Sequence, residues 1–115
     1  VCIISDRLRF VHPPYSHRIL YAGQNLALLK YLQDELKDCL IVRCAGDSTA
    51  RAFIKSINYS LLLFDEVLPD AMGRELAAFV GALANRAGTP VIIFKKTDNF
   101  EPLANAISHF LTGQA

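Results

Sequence analysis

The stretch LLLFDEVLPDAMG, Leu61 to Gly73, decides the fold. An apolar run without alternation leads straight into Asp65, and Pro69 and Gly73 follow as turn residues. Such a run suits a central parallel strand covered on both faces. A carboxylate at its carboxyl end stands where the ligand and reaction sites of open parallel sheets gather. Asp65 is therefore the leading candidate site residue, with a solvated Asp opening a turn as the plain alternative.

Outward from this strand, short β-rich runs alternate with segments of helical periodicity, the pattern of a parallel α/β sheet. RILYA (18–22) reads as a strand and NLALLKYLQDELK (25–37) as an amphipathic helix with Leu28, Leu29, Leu32 and Leu36 on its stripe. LIVRC (40–44) is a second strand, and Asp47 is an N-cap candidate before a helix whose Ala50, Phe53, Ile54 and Ile57 share a face. After Gly73 a helix carries Leu76, Phe79, Val80 and Leu83 inward and is expected to stop near Gly88, ahead of Pro90. PVIIF (90–94) is a fourth strand. The last helix begins about Asn99, tolerates Pro102 in its first turn, and turns Leu103, Ile107 and Phe110 to the core. The expected fold class is α/β, a three-layer open parallel sheet.

Residues 1–17 do not follow this rhythm. VCIIS and LRFV each have the composition of a short strand, and HPPYSH is a stiff link into the first core strand. Two readings stand: a loosely attached leader, or an extra strand covering a sheet edge in its own subunit or a neighbour's. The domain reading is thus a leader over 1–17 and one domain over 18–115.

At 115 residues the chain has material for a single core. Twelve basic and eleven acidic residues leave a formal charge of +1 with no run of either sign, so nothing points to nucleic acid or anionic lipid. Hydrophobic residues make up 52%, but in runs far too short to span a membrane. Cys2, Cys39 and Cys44 lack metal-ligand spacing and read as reduced thiols of a cytoplasmic protein. VCIISDRLRF lacks the long apolar stretch of a signal peptide, and the absence of an initiating Met fits a piece of a longer protein.

On these residues the chain, from Arg18 to about Leu111, resembles the receiver domain of bacterial two-component response regulators, a flavodoxin-like, CheY-like fold. The matching elements are the apolar run ending in Asp65, then Leu68, Pro69, Asp70 and Gly73, with RILYAGQNLALLKYLQDEL resembling the family's first strand and helix and FEPLANAISHFL (100–111) its closing helix. The resemblance implies that Asp65 is the phosphoacceptor. It also implies a phosphorelay role, with a histidine kinase or an output domain as protein partner.

The departures from the family pattern matter as much. The two acidic residues that follow the family's first strand and help hold magnesium are replaced by Gly23 and Gln24. Magnesium needs hard oxygen ligands, so no metal or other cofactor is expected here. Glu66, alternating with Asp65 along a strand, is expected to point to the opposite face. TPVIIFKKTDNFEPL reads as the start of the family's fourth strand joined to the end of its fifth, with one β/α unit missing. Lys96 then stands in the place of the family lysine, or Lys95 in the place of its Thr/Ser, and either is a candidate charge partner for Asp65; solvated lysines are the alternative. The N-terminal residues would supply a replacement strand at the exposed edge.

Other chemistry finds little support. Gly23 stands alone where a phosphate loop or dinucleotide fingerprint needs further glycines. His12, His17 and His109 have no metal-ligand spacing, and no Gly-x-Ser-x-Gly elbow occurs. Three functional readings remain. The first is a pseudo-receiver, not an enzyme, acting as a phosphorylation-independent protein-interaction module. The second is a working receiver phosphorylated on Asp65 with lysine help. The third is a small α/β ligand-binding domain or enzyme using the crevice around Gly23, Asp65 and Lys95. An incomplete sheet with a free leader also makes a homodimer a partner to test.

Overall fold

Alternating side chains of two central strands set up two cores. In β1 (His17–Ala22), Ile19 and Tyr21 serve one face and Leu20 and Ala22 the other, all fully buried. In β3 (Leu61–Asp65), Leu61 and Leu63 lie on the first face and Leu62 and Phe64 on the second. A strand buried on both sides has no use for polar alternation, which is why LLLF is continuously apolar. The computed structural model describes residues 17–83 and 88–113. The leader expected before the first strand therefore lies outside the described residues, except that His17 is already the first residue of β1.

Two further strands, β2 (Cys39–Cys44) and β4 (Val91–Phe94), complete a four-stranded sheet of order β2-β1-β3-β4. Every pairing is parallel, with Tyr21 opposite Leu63, Leu62 opposite Val91 and Asp65 opposite Phe94. Helix α1 (Leu26–Glu35) and helix α4 (Phe100–Gly113) cover the Tyr21 face through Leu28, Leu32, Leu103, Ala104 and Ile107. Helices α2 (Asp47–Ser56) and α3 (Gly73–Ala82) cover the other through Ala50, Ile54, Leu76 and Val80. This is the expected three-layer open parallel sheet. Because α4 follows β4 directly and crosses to the α1 face, β4 is an edge strand among the described residues, in keeping with the expected loss of one β/α unit.

Four local expectations are corrected. Asp47 is not the cap of α2. Gly46 is, with extended backbone, because the Asp70 carboxylate accepts the first amides of the helix, and Asp47 instead pairs with Arg51 one turn on at 2.7 Å. Helix α3 ends at Ala82 rather than near Gly88: Leu83 turns extended, and Gly81 weakens the final turn. Phe110 is 39% exposed, since the buried stripe of α4 runs through Leu103, Ala104 and Ile107 and is continued by Leu111. The fourth strand begins at Val91, with Pro90 just outside.

Candidate functional site

The chain runs outward from β1 to β2, returns across it to β3, and continues to β4, so successive connections diverge above the gap between β1 and β3. That divergence leaves a crevice at the carboxyl edge of the sheet. Asp65 is the last residue of β3 and stands in it, half-buried.

The register decides the partner of Asp65. Tyr21 lies opposite Leu63, and side chains two residues apart share a face, so the phenol on β1 reaches up beside the carboxylate. Its hydroxyl donates to Asp65 Oδ1 at 2.7 Å, and the same oxygen accepts the Asn25 backbone N–H at 3.0 Å. The second carboxylate oxygen, Oδ2, accepts the Gln24 backbone N–H at 3.1 Å. Asn25 caps α1 with its side chain, accepting from Leu28 N at 3.0 Å. The negative charge thus rests against the amino end of a helix, where free amides and the helix dipole favour an anion. Burial, then the hydrogen bond to Asp65, pushes the Tyr21 phenol above its ordinary range, so it stays a donor at neutral pH.

Gly23 makes this possible. A Cβ built there would overlap the Asp65 carboxyl group and come within 2.6 Å of Tyr21 Oη. Its backbone is fixed on both sides, the N–H donating to Cys44 O at 2.9 Å and the carbonyl accepting from Arg43 Nε at 3.0 Å. Gly73 serves the other flank, because a Cβ there would overlap the Asp65 carbonyl. Between them the loop after β3 folds back on itself, with Val67 bridged to Met72, Leu68 N donating to Ala71 O, and Gly73 N donating to Glu66 O. Asp70, at the tip of this loop, accepts from Asp47 N at 2.7 Å and Ser48 N at 3.2 Å, and these bonds hold its carboxyl below the ordinary carboxylate range.

A cleft of about 560 Å³ opens beside Asp65, lined by Gln24, Asn25, Asp65, Glu66, Val67, Phe94 and Lys96. Glu66 therefore shares the Asp65 cleft rather than facing away, because it lies one residue past the end of β3. Lys96 also lines it, whereas Lys95 contributes a backbone N–H to Asp98 Oδ2 at 2.9 Å. Among the described residues neither lysine forms an ion pair with Asp65.

The donor set does not fit magnesium. Among the described residues no three His, Cys, Asp or Glu side chains converge to hold a metal, and the space where a side chain at position 23 would begin is taken by the Asp65 carboxylate itself.

No known family profile matches the sequence, and no curated protein is similar to it. Solved structures are. The receiver domain of a signal transduction histidine kinase from Syntrophus aciditrophicus superposes with a TM-score of 0.73 at 15% identity, over 85% of this chain and 92% of the other. The phosphorylated cyanobacterial phytochrome response regulator RcpA gives 0.74 at 17% identity, over 86% and 96%. The fold is that of a response-regulator receiver domain. The chemotaxis response regulator CheY4 of Vibrio cholerae matches this receiver fold as well, at 0.71 and 15% identity over 83% and 98%.

Sequence reasoning placed Asp65, Gly23 and Gln24 at one end of the receiver sheet, and the structure brings them together. It did not single out Tyr21 or Asn25, and it named Asp70 only as part of the motif shared with receiver domains. For Tyr21 a usable signal existed: a tyrosine one residue before the end of β1 sits on the face and at the height from which its hydroxyl clears the sheet edge.

Proposed function

We propose that this chain is a signal-transduction receiver-like domain that works as a protein-interaction module, independent of magnesium-assisted phosphorylation. What supports the reading above all is the state of Asp65: both carboxylate oxygens are engaged, by the Tyr21 hydroxyl and the Gln24 amide, and among the described residues no three His, Cys, Asp or Glu side chains converge to hold a metal. An incoming phosphoryl group brings negative charge that a metal would ordinarily neutralise. The module binds in the cytoplasm to a histidine kinase or output domain and catalyses nothing itself.

A second reading, phosphoryl transfer to Asp65, has one observation in its favour: the adjoining 560 Å³ cleft is large enough for a phosphodonor and has Lys96 on its wall.

Intact mass after incubation with magnesium and acetyl phosphate, beside an Asp65→Asn control, separates the two. The proposal expects no adduct in either protein. An adduct of one phosphoryl group in the native chain alone would overturn it in favour of the second reading.

A further inference from the structure

The walls of the cleft beside Asp65 carry more polar groups than the local structure uses. Asp65 accepts from the Tyr21 hydroxyl and the Gln24 amide, and the Asn25 side chain caps α1. Three polar side chains on the same walls are uncommitted. Among the described residues, the Glu66 carboxylate, the Lys96 ammonium and the Gln24 side-chain amide have no hydrogen-bond or ion-pair partner. Val67, which is 65% exposed, and Phe94 add apolar lining. At about 560 Å³ the cleft has the size of a small-molecule site, and it lies where an open parallel sheet places one.

The lining selects a ligand by charge. A simple anion would meet the Asp65 and Glu66 carboxylates at close range. A simple cation would meet Lys96, and among the described residues no three metal-ligating side chains converge. A wholly apolar molecule would strip water from two carboxylates and an ammonium without replacing it. A molecule bearing both charges and an apolar body matches the whole lining. Register limits how far apart its charges stand. Asp65 lies opposite Phe94, so Glu66 and Lys96 leave neighbouring strands one and two residues beyond that level, from strands about 5 Å apart. Such closeness suits an ammonium and a carboxylate on one carbon better than charges at the two ends of a long molecule.

We propose that the cleft binds a free α-amino acid with an apolar side chain, its ammonium on Glu66, its carboxylate on Lys96 and its side chain against Val67 and Phe94. The Gln24 amide, donor and acceptor at once, serves either charged group. The site gives the domain a small-molecule input beside any protein partner. Because it acts through Glu66 and Lys96, it does not depend on whether Asp65 accepts a phosphoryl group.

The test is an NMR titration of the full chain with leucine and with phenylalanine, followed at the backbone signals of Gln24, Glu66 and Lys96. N-acetyl-leucine, which lacks the ammonium, and leucinamide, which lacks the carboxylate, are titrated in parallel. Saturable shifts by about 10 mM amino acid are expected, with each blocked analogue about tenfold weaker. Glu66 and Lys96 are both exposed, so Glu66→Gln and Lys96→Met leave the fold intact, and the Leu63 signal of the central strand reports this. Glu66→Gln should abolish the preference for leucine over N-acetyl-leucine alone, and Lys96→Met the preference over leucinamide alone. No saturable shift with either amino acid would overturn the proposal. So would equal binding of leucine and its blocked analogues, or preferences that survive both substitutions.

Discussion

Tyr21 Oη donates to Asp65 Oδ1 across 2.7 Å and from the same oxygen accepts the Asn25 amide at 3.0 Å. One hydroxyl therefore ties the end of β3 to the amino end of α1, and Tyr21 itself is wholly buried. Removing it leaves both the carboxylate and a helix amide short of a partner without opening a path for water. Tyr21→Phe is expected to lower stability by about 1–3 kcal/mol, read from the urea midpoint at unchanged slope. A midpoint equal to that of the native protein would mean the hydroxyl is replaceable.

The same phenol sets an alkaline limit. Its folded pKa is raised above the ordinary 10.0, chiefly by burial and then by the bond to Asp65. For a group raised on folding, the stabilisation is complete below the unfolded value and drains away as pH climbs through the folded one. The native chain should lose stability progressively above pH 10, and Tyr21→Phe should show a shallower decline over that interval. Parallel pH profiles for the two proteins would refute the assignment.

How far this site could be read in the sequence follows from what each residue depends on. Asp65 was legible because an uninterrupted apolar run names a buried strand and its end names the crevice, both local facts. Its partner was not, since Tyr21 meets Asp65 only through the pairing of Tyr21 with Leu63, a long-range register that composition does not carry. Asp70 was read as part of the receiver-like Leu68-Pro69-Asp70 motif, yet its carboxylate accepts the first amides of α2 across a separation of more than 20 residues. With that role taken, Asp47 slid into the helix. The lysines divide for a similar reason: both follow β4, and only the path of the chain after Phe94 brings Lys96 rather than Lys95 to the cleft.

Asp70 makes an acid-sensitive clasp between the loop after β3 and helix α2. Bonds from Asp47 N, then Ser48 N, depress its pKa below the ordinary 3.8. A depressed carboxylate contributes fully above the unfolded value and loses its contribution as pH falls through the folded one. Asp70→Ala should therefore melt at a lower temperature than the native chain at pH 7, and the gap should close as pH falls below 3.8. A gap of constant size would show that the cap does not act through charge.

Gly23 stands where the receiver pattern calls for an acid. If the acid were simply missing from an otherwise ready site, Gly23→Asp together with Gln24→Asp would restore magnesium binding. The geometry says otherwise. Any side chain at position 23 starts inside the volume of the Asp65 carboxyl group and 2.6 Å from the Tyr21 hydroxyl. To admit it, Asp65 must leave both of its present donors, which forfeits the hydrogen bonds and crowds two carboxylates together. Overpacking of this kind costs about 1–3 kcal/mol before any repulsion is counted. Gly23→Ala isolates the steric part and should lower the melting temperature without adding charge. The double acidic variant should be less stable still in the absence of metal and should bind magnesium no better than the native chain by calorimetric titration. Tight magnesium binding by that variant would mean that Asp65 moves freely, and that the site lacks charge rather than room.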